Sequence, residues 1–336
     1  MNYSCSAPLR RRPVRRAMSF RTSLCACIAI SPAAPFAVLA ASAAAADVRV
    51  TPNDRGAAIT VGDQPFADYL IRSGPKPVVW PIFGPGQVRM TRDYPLDDSR
   101  SDETRDHIHH RSLWFTHGDV NKIDFWAETP GAGHIEHREF VELKSGPEGV
   151  IVTRNEWLAP DGRKILEDQR RLTFAAGDDA RTIDFDIELK ATAGPVEFGD
   201  TKEGSFGVRV ADVLAVKKKS GGQIKNDAGL TDKDAWGKPA SWVDYHGRID
   251  GQPVGVAMMN HPDSFGFPTR WHVRDYGLFA ANPFGSTAFE APKRENVKLE
   301  SGGSIKLSYR VLLHRGDEQS GDVAAVYKAY AGQRRP

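Results

Sequence analysis

From residue 48 onward the chain is a succession of short runs in which apolar and polar residues alternate. VRVTPN, AAITVG and PFADYLI open it, bounded by Pro, Asn or Gly. RTIDFDIELKA is the clearest run. Ile183, Phe185, Ile187 and Leu189 fall on one side, and Asp184, Asp186 and Glu188 on the other. Period two marks a strand with one buried face. HIEHREFVELKSG, GVIVTRNEWLAP, ILEDQRRLTFAAG, SFGVRVADVLAV, SWVDYHGRI, PVGVAMMN, HVRDYGLFAAN and SIKLSYRVLLHRG continue the pattern, with turns such as APDGR and AAGDDA between them. Helical spacing is confined to DVAAVYKAYAG. There Ala324, Val326 and Tyr327 share a face, Asp322 is placed to cap and Gly332 to stop the helix. No long-period repeat and no Gly/Ser linker divides the chain. The expectation is all-β: one antiparallel domain over residues 47–336, with a short C-terminal helix on an edge. Many uneven strands favour two packed sheets over a closed barrel.

Residues 1–46 carry a different pattern. Arg10, Arg11, Arg12, Arg15, Arg16 and Arg21 precede an apolar stretch from Leu24 to Leu39, broken by Pro32 and Pro35 and followed by AASAAAAD. This is the order of a secretory signal peptide, cleaved after Ala43 or Ala46. A periplasmic or secreted location follows. The apolar stretch is too short and broken for a lasting membrane span, and no later stretch is apolar enough. All 3 cysteines, Cys5, Cys25 and Cys27, lie in this leader. The remaining chain therefore has no disulfide, thiolate ligand or cysteine nucleophile. Removing the leader's arginines turns a formal charge of +2 mildly acidic, which gives no sign of nucleic-acid binding. The run Lys217, Lys218, Lys219 reads as a solvated strand end or loop.

Four stretches lack clean alternation and are rich in Trp, His, Gly and Pro: residues 80–128, 197–210, 234–247 and 260–285. Long ordered loops on a sheet scaffold are where function concentrates. DHIHHRSLWFTHGDVN holds His107, His109, His110 and His117, with Arg111, Asp119 and Asn121. On extended backbone His107 and His109 share a face and His110 points away. His107 and His109 then form a ligand pair for a divalent ion (Zn, Mn or Ca) that needs a further donor, such as Glu203, His261 or His272. The same histidines can instead bond sugar hydroxyls, or sit in a surface turn. GDTKEGSFG supplies Lys202 and Glu203 as an acid–base pair, or as a solvated hairpin tip. Trp236, Trp271 and Tyr276, with His261, His272 and Arg270, offer flat faces and donors of the kind a sugar ring takes; equally, the indoles can fill a core. No motif marks a serine nucleophile, a P-loop or a dinucleotide fingerprint, so no nucleotide cofactor is expected.

At these motifs the chain resembles a bacterial family of unknown function labelled PmoA-like or methane oxygenase. WPIFGPG, DHIHHRSLWFTHGDVNKIDFW, GDTKEGSFG, WGKPASWVDYHG, HPDSFGFPTRW and YGLFAANPFG carry the resemblance, over nearly all of residues 47–336. Methane oxidation is rejected, since a multi-span membrane subunit needs apolar stretches that this chain lacks. WPIFGP followed by H-x-x-R-S-L-W is also similar to the hexose mutarotases. That likeness implies a galactose mutarotase-like β-supersandwich with a sugar cleft on one sheet, a histidine acid and a glutamate base. His107 or His110 would match the sugar-binding histidine and Arg111 the arginine. The late glutamate finds only Glu290 as a poor counterpart, which speaks against simple mutarotation.

The combined expectation is an exported carbohydrate-active protein, an epimerase, lyase or hydrolase acting on a sugar or keto sugar. His110, His117, Lys202, Glu203 and His272 would be catalytic. Arg111, Asp119, Asn121, Trp236, His261, Arg270, Trp271 and Tyr276 would bind substrate. The alternative is a non-catalytic sugar-binding protein. The two part on whether Glu203 and the histidines point into one pocket.

Overall fold

The computed structural model describes residues 47–336, and the expected signal peptide lies outside them. Two eight-stranded sheets and one two-stranded pair hold the strands. The first sheet runs, in spatial order, Val48–Asn53, Gly56–Val61, Gln64–Ser73, Lys76–Ile82, Leu113–His117, Gly204–Arg209, Leu278–Asn282 and Arg270–Val273. The second runs Gln223–Asn226, Trp242–Ile249, Gln252–Asn260, Ser304–Arg315, Ala180–Lys190, Lys164–Ala176, Gly149–Leu158 and His134–Lys144. Every paired strand is antiparallel. The sheets face each other across one core. Phe66 meets Phe174 edge-on at 5.5 Å, and Phe206 stacks on Tyr309 at 4.8 Å. This is the all-β, antiparallel supersandwich that the alternation and the likeness predict.

Within RTIDFDIELK, Ile183, Phe185, Ile187 and Leu189 are buried in that core as the pattern requires. Asp184 and Asp186 on the other face are held by Arg310 and Arg335. Leu113–His117 escapes the pattern. It sits mid-sheet and all its residues are buried, so its sequence does not alternate. The segment read as one long loop over 80–128 therefore contains a central strand.

The helix Val323–Ala331 forms where expected, with two differences. Asp322 is in the left-handed region and makes no side-chain cap. The helix also lies across a sheet face rather than on an edge. Val323 and Tyr330 pack on Trp242, Ala257, Met259 and Leu312, which come from three neighbouring strands of the second sheet. No helix among the described residues is long and apolar enough to cross a membrane.

Candidate active-site cleft

The site is built on the outer face of the first sheet. Leu113 and Phe115 join the intersheet core, while Trp114 faces outward onto a second apolar cluster with Trp126, Leu278 and Ala280. Gly207, on the next strand, lets the Trp114 indole lie flat: a β-carbon there would meet that ring at 2.7 Å. On Arg270–Val273 the same alternation sends Trp271 into the core and His272 outward.

The backbone at 107–110 is a turn and not a strand. His107 has a positive φ of 46° and its carbonyl accepts from the His110 N–H at 2.9 Å. The extended reading, with His110 pointing away from its neighbours, is thereby corrected. The turn stacks Tyr276, His107, His110 and Trp114 in one column, with centroid separations of 4.8, 4.7 and 5.4 Å. His109 meets His110 edge-on at 4.4 Å.

Two buried arginines fix this turn. Arg92 donates to the Tyr94 and Thr104 carbonyls at 3.1 and 2.9 Å, and to the Asp106 carboxylate and carbonyl at 2.7 and 3.0 Å. Arg209 donates to the same carboxylate at 2.8 Å and reaches His110 Nδ1 at 3.3 Å. Burial pushes the Asp106 carboxyl up, but the two guanidinium groups and His107 outweigh it and hold it at about 2. Burial pushes His109 down to about 4, with the Lys76 and His107 charges adding to the fall. Burial also holds His110 well below the ordinary histidine value. These imidazoles are neutral at pH 7.

His107, His109, His110, Asp124, Trp126, Lys202, Glu203, His272, Arg274 and Tyr276 line one cleft of about 400 Å³. Lys202 pairs with Glu203 at its wall. Residues 199–203 form a loop that leads into the strand Gly204–Arg209. Asp200 is spent on structure, accepting from the backbone and hydroxyls of Ser286 and Thr287. Burial drives His272 down to about 3, helped by the Lys202 and Arg274 charges. His272 Nδ1 and Trp126 Nε1 are buried without a protein partner. Unpaired polar atoms beside a cleft suit a hydroxyl-rich ligand.

Of the residues read as candidates, His107, His109, His110, Lys202, Glu203, His272 and Tyr276 converge here. The others do not. His117 faces the core, packs on Phe284 and bonds the Gly199 carbonyl at 2.9 Å. Arg111 grips Glu128 with bonds of 2.7 and 2.6 Å, and that carboxylate also takes the buried Lys76. Asp119 accepts from the Lys122 backbone, and the Asn121 side chain accepts from the Glu197 N–H. His261 meets Tyr330 under the C-terminal helix. Trp271 is a core residue whose indole donates to the Ala240 carbonyl, and Arg270 donates to the Gly237 carbonyl. Trp236 lines an adjoining hollow that shares Arg274. Strand alternation turns His117 and Trp271 inward, an ion pair claims Arg111, and backbone partners claim Asp119, Asn121 and Arg270.

Asp124, Trp126 and Arg274 complete the cleft although sequence reasoning did not select them. The first two close the same histidine loop in IDFWAE, and Asp124 pins it by accepting from the Trp126 and Ala127 N–H groups. For a metal on His107 and His109, no third His, Asp or Glu among the described residues completes a set with ligand atoms within 4.8 Å of one another.

Fold and cleft together define an all-β, two-sheet protein with a histidine-rich, aromatic-floored site on one sheet. The chain belongs to the family described as a family of unknown function (DUF6807), which it matches over residues 56–328. No curated protein matches it. Among solved structures it is similar to a Glycoside Hydrolase Family 97 enzyme from Pseudoalteromonas sp. strain K8, at 8% identity and a TM-score of 0.32, over 79% of this chain and 33% of that one. The chain thus spans about a third of that hydrolase. It is similar to a GalM/aldose epimerase homologue from C. elegans, at 8% identity and a TM-score of 0.30, over 80% of this chain and 99% of that one. A putative aldose 1-epimerase from Escherichia coli K12 gives 8% identity and a TM-score of 0.31, over 80% and 99% of the two chains. Likenesses this faint carry no argument about chemistry.

Proposed function

We propose that the protein is an exported enzyme that acts on a sugar or keto sugar by acid–base chemistry in this cleft. The observation that carries the reading is the convergence of Glu203, Lys202 and three neutral imidazoles on one aromatic-floored hollow. Glu203 is the proton acceptor and Lys202 orients it. His109 and His272 are neutral at pH 7, so they serve as hydrogen-bond partners for substrate oxygens rather than as cationic acids. Tyr276, whose phenol burial pushes up to about 12, stays protonated and can donate. Trp126 gives the ring an apolar face.

The test is a panel of sugars and keto sugars, screened by thermal shift and then assayed for turnover. Glu203→Gln should keep ligand binding and lose roughly 100-fold or more in turnover. Full turnover in Glu203→Gln would overturn the reading. Binding without turnover by the wild type would make this a sugar-binding protein.

A second reading places a divalent ion on His107 and His109. The neutral imidazole of His109 favours it, since a ligating nitrogen must be unprotonated. Substrate oxygens would have to complete that coordination. Metal analysis of wild type against His109→Ala decides it.

A further inference from the structure

A second constellation lies on the other sheet. Asp244 and His246 are two apart on Trp242–Ile249 and so share a face. His246 and His314 flank Gly255 from its two neighbouring strands. A β-carbon at Gly255 would meet His314 Nε2 at 2.5 Å, so this glycine lets the two imidazoles crowd together. Glu318, just past the end of Ser304–Arg315, reaches back over the group. Asp244 is fully buried, and the side chains of His246 and Glu318 are each 10% exposed.

We infer that Asp244, His246 and Glu318 form a binding site for a divalent transition-metal ion of the zinc type. One ligand atom from each lies within 4.8 Å of the other two. His246 Nδ1 stands 2.6 Å from Asp244 Oδ2 and 3.8 Å from Glu318 Oε2. A tetrahedral ion with bonds of about 2.0–2.2 Å needs ligand atoms about 3.3–3.5 Å apart. Opening the first gap and closing the second by under ~1 Å reaches that spacing. The other oxygen of each carboxylate already has a partner. Asp244 Oδ1 accepts from His314 Nε2 at 2.9 Å, and Glu318 Oε1 accepts from Lys225. Partners of this kind orient ligands around metals.

The charges agree. Asp244, Glu318 and nearby Asp317 face His246, His314 and Lys225. The residue set fits a structural ion that ties the 316–322 turn to the sheet.

The experiment is calorimetric titration of the chelator-stripped full-length protein with Zn²⁺, backed by elemental analysis after dialysis. One equivalent is expected. Affinity should fall at least ~10-fold in Glu318→Gln and in His246→Gln, and about 10–100-fold in His314→Gln. His109→Ala should leave it unchanged. Co²⁺ should give the visible absorption of a tetrahedral nitrogen–oxygen site in wild type, a signature that does not depend on any variant folding. No stoichiometric Zn²⁺, or an equivalent that survives Glu318→Gln and His246→Gln in folded protein, would overturn the proposal. So would an equivalent lost in His109→Ala, which would assign the ion to the cleft.

Discussion

At the scale of single residues, side chains of the same type do unlike work according to the face they take. His117 and His272 are both buried and both neutral, yet His117 is enclosed by core aromatics and His272 opens on the cleft. His117→Gln should therefore lower the melting temperature and leave kcat/KM nearly unchanged. His272→Gln should do the reverse. Parallel thermal melts and kinetics on both variants check this. Glu128 is a second case. It neutralises Arg111 and Lys76, and burial still pushes the Lys76 amine down to about 8. Glu128→Gln leaves two enclosed cations without a counter-charge and should cost about 3–5 kcal/mol in chemical denaturation. A variant as stable as wild type would show that water reaches those cations.

At the scale of elements, the cleft depends on a loop wrapped around one guanidinium. Arg92 bonds carbonyls and a carboxylate spread over residues 94–110. Lysine cannot reproduce a planar, multidentate fork. Arg92→Lys should speed hydrogen exchange across residues 93–110 and weaken ligand binding, while exchange in Ala180–Lys190 stays slow. Uniform acceleration across both sheets would instead mean that Arg92 supports the whole fold. The same loop marks the limit of sequence reading here. RTIDFDIELK announces itself because one face carries carboxylates that pair with Arg310 and Arg335 and the other meets the core. Leu113–His117 is buried on both faces, so nothing alternates. Likewise the histidines of DHIHH looked extended until Arg92 and Arg209, brought in from distant positions, folded them into a turn.

At the scale of the whole molecule, buried neutral histidines set the response to acid. His109 and His117 lie at about 4 and His272 at about 3, below an unfolded value of about 6.5. Between those values the unfolded chain binds more protons, so stability rises with pH. The contribution is complete above pH ~6.5 and is lost as pH falls through about 4 and then 3. For fully buried His117 it amounts to roughly 3 kcal/mol. Asp106 and Asp200, held at about 2, lose theirs only below about pH 4. His246 and His314, raised, act oppositely and lose their contribution as pH rises above their ordinary value. The melting temperature should fall steadily from pH 7 to pH 4, and His117→Gln should flatten that slope. An unchanged melting temperature over the range would refute the assignment of neutral buried histidines.

Sequence alone determined the all-β class, the antiparallel sandwich, the C-terminal helix and the stretches where chemistry gathers. These follow from period-two patterning and from where it breaks, which are local properties. It also placed His107, His109, His110, Lys202, Glu203, His272 and Tyr276 among the candidates by residue type. Tertiary structure decided which candidates meet. It turned His117 and Trp271 inward through strand phase, bound Arg111 to Glu128, and brought Arg274, just past the strand Arg270–Val273, into the same cleft as Glu203. It also joined Asp244 and His246 to His314 and Glu318 across three strands. Side chains converge through sheet register and long-range ion pairs, and neither is written in the spacing of any one segment.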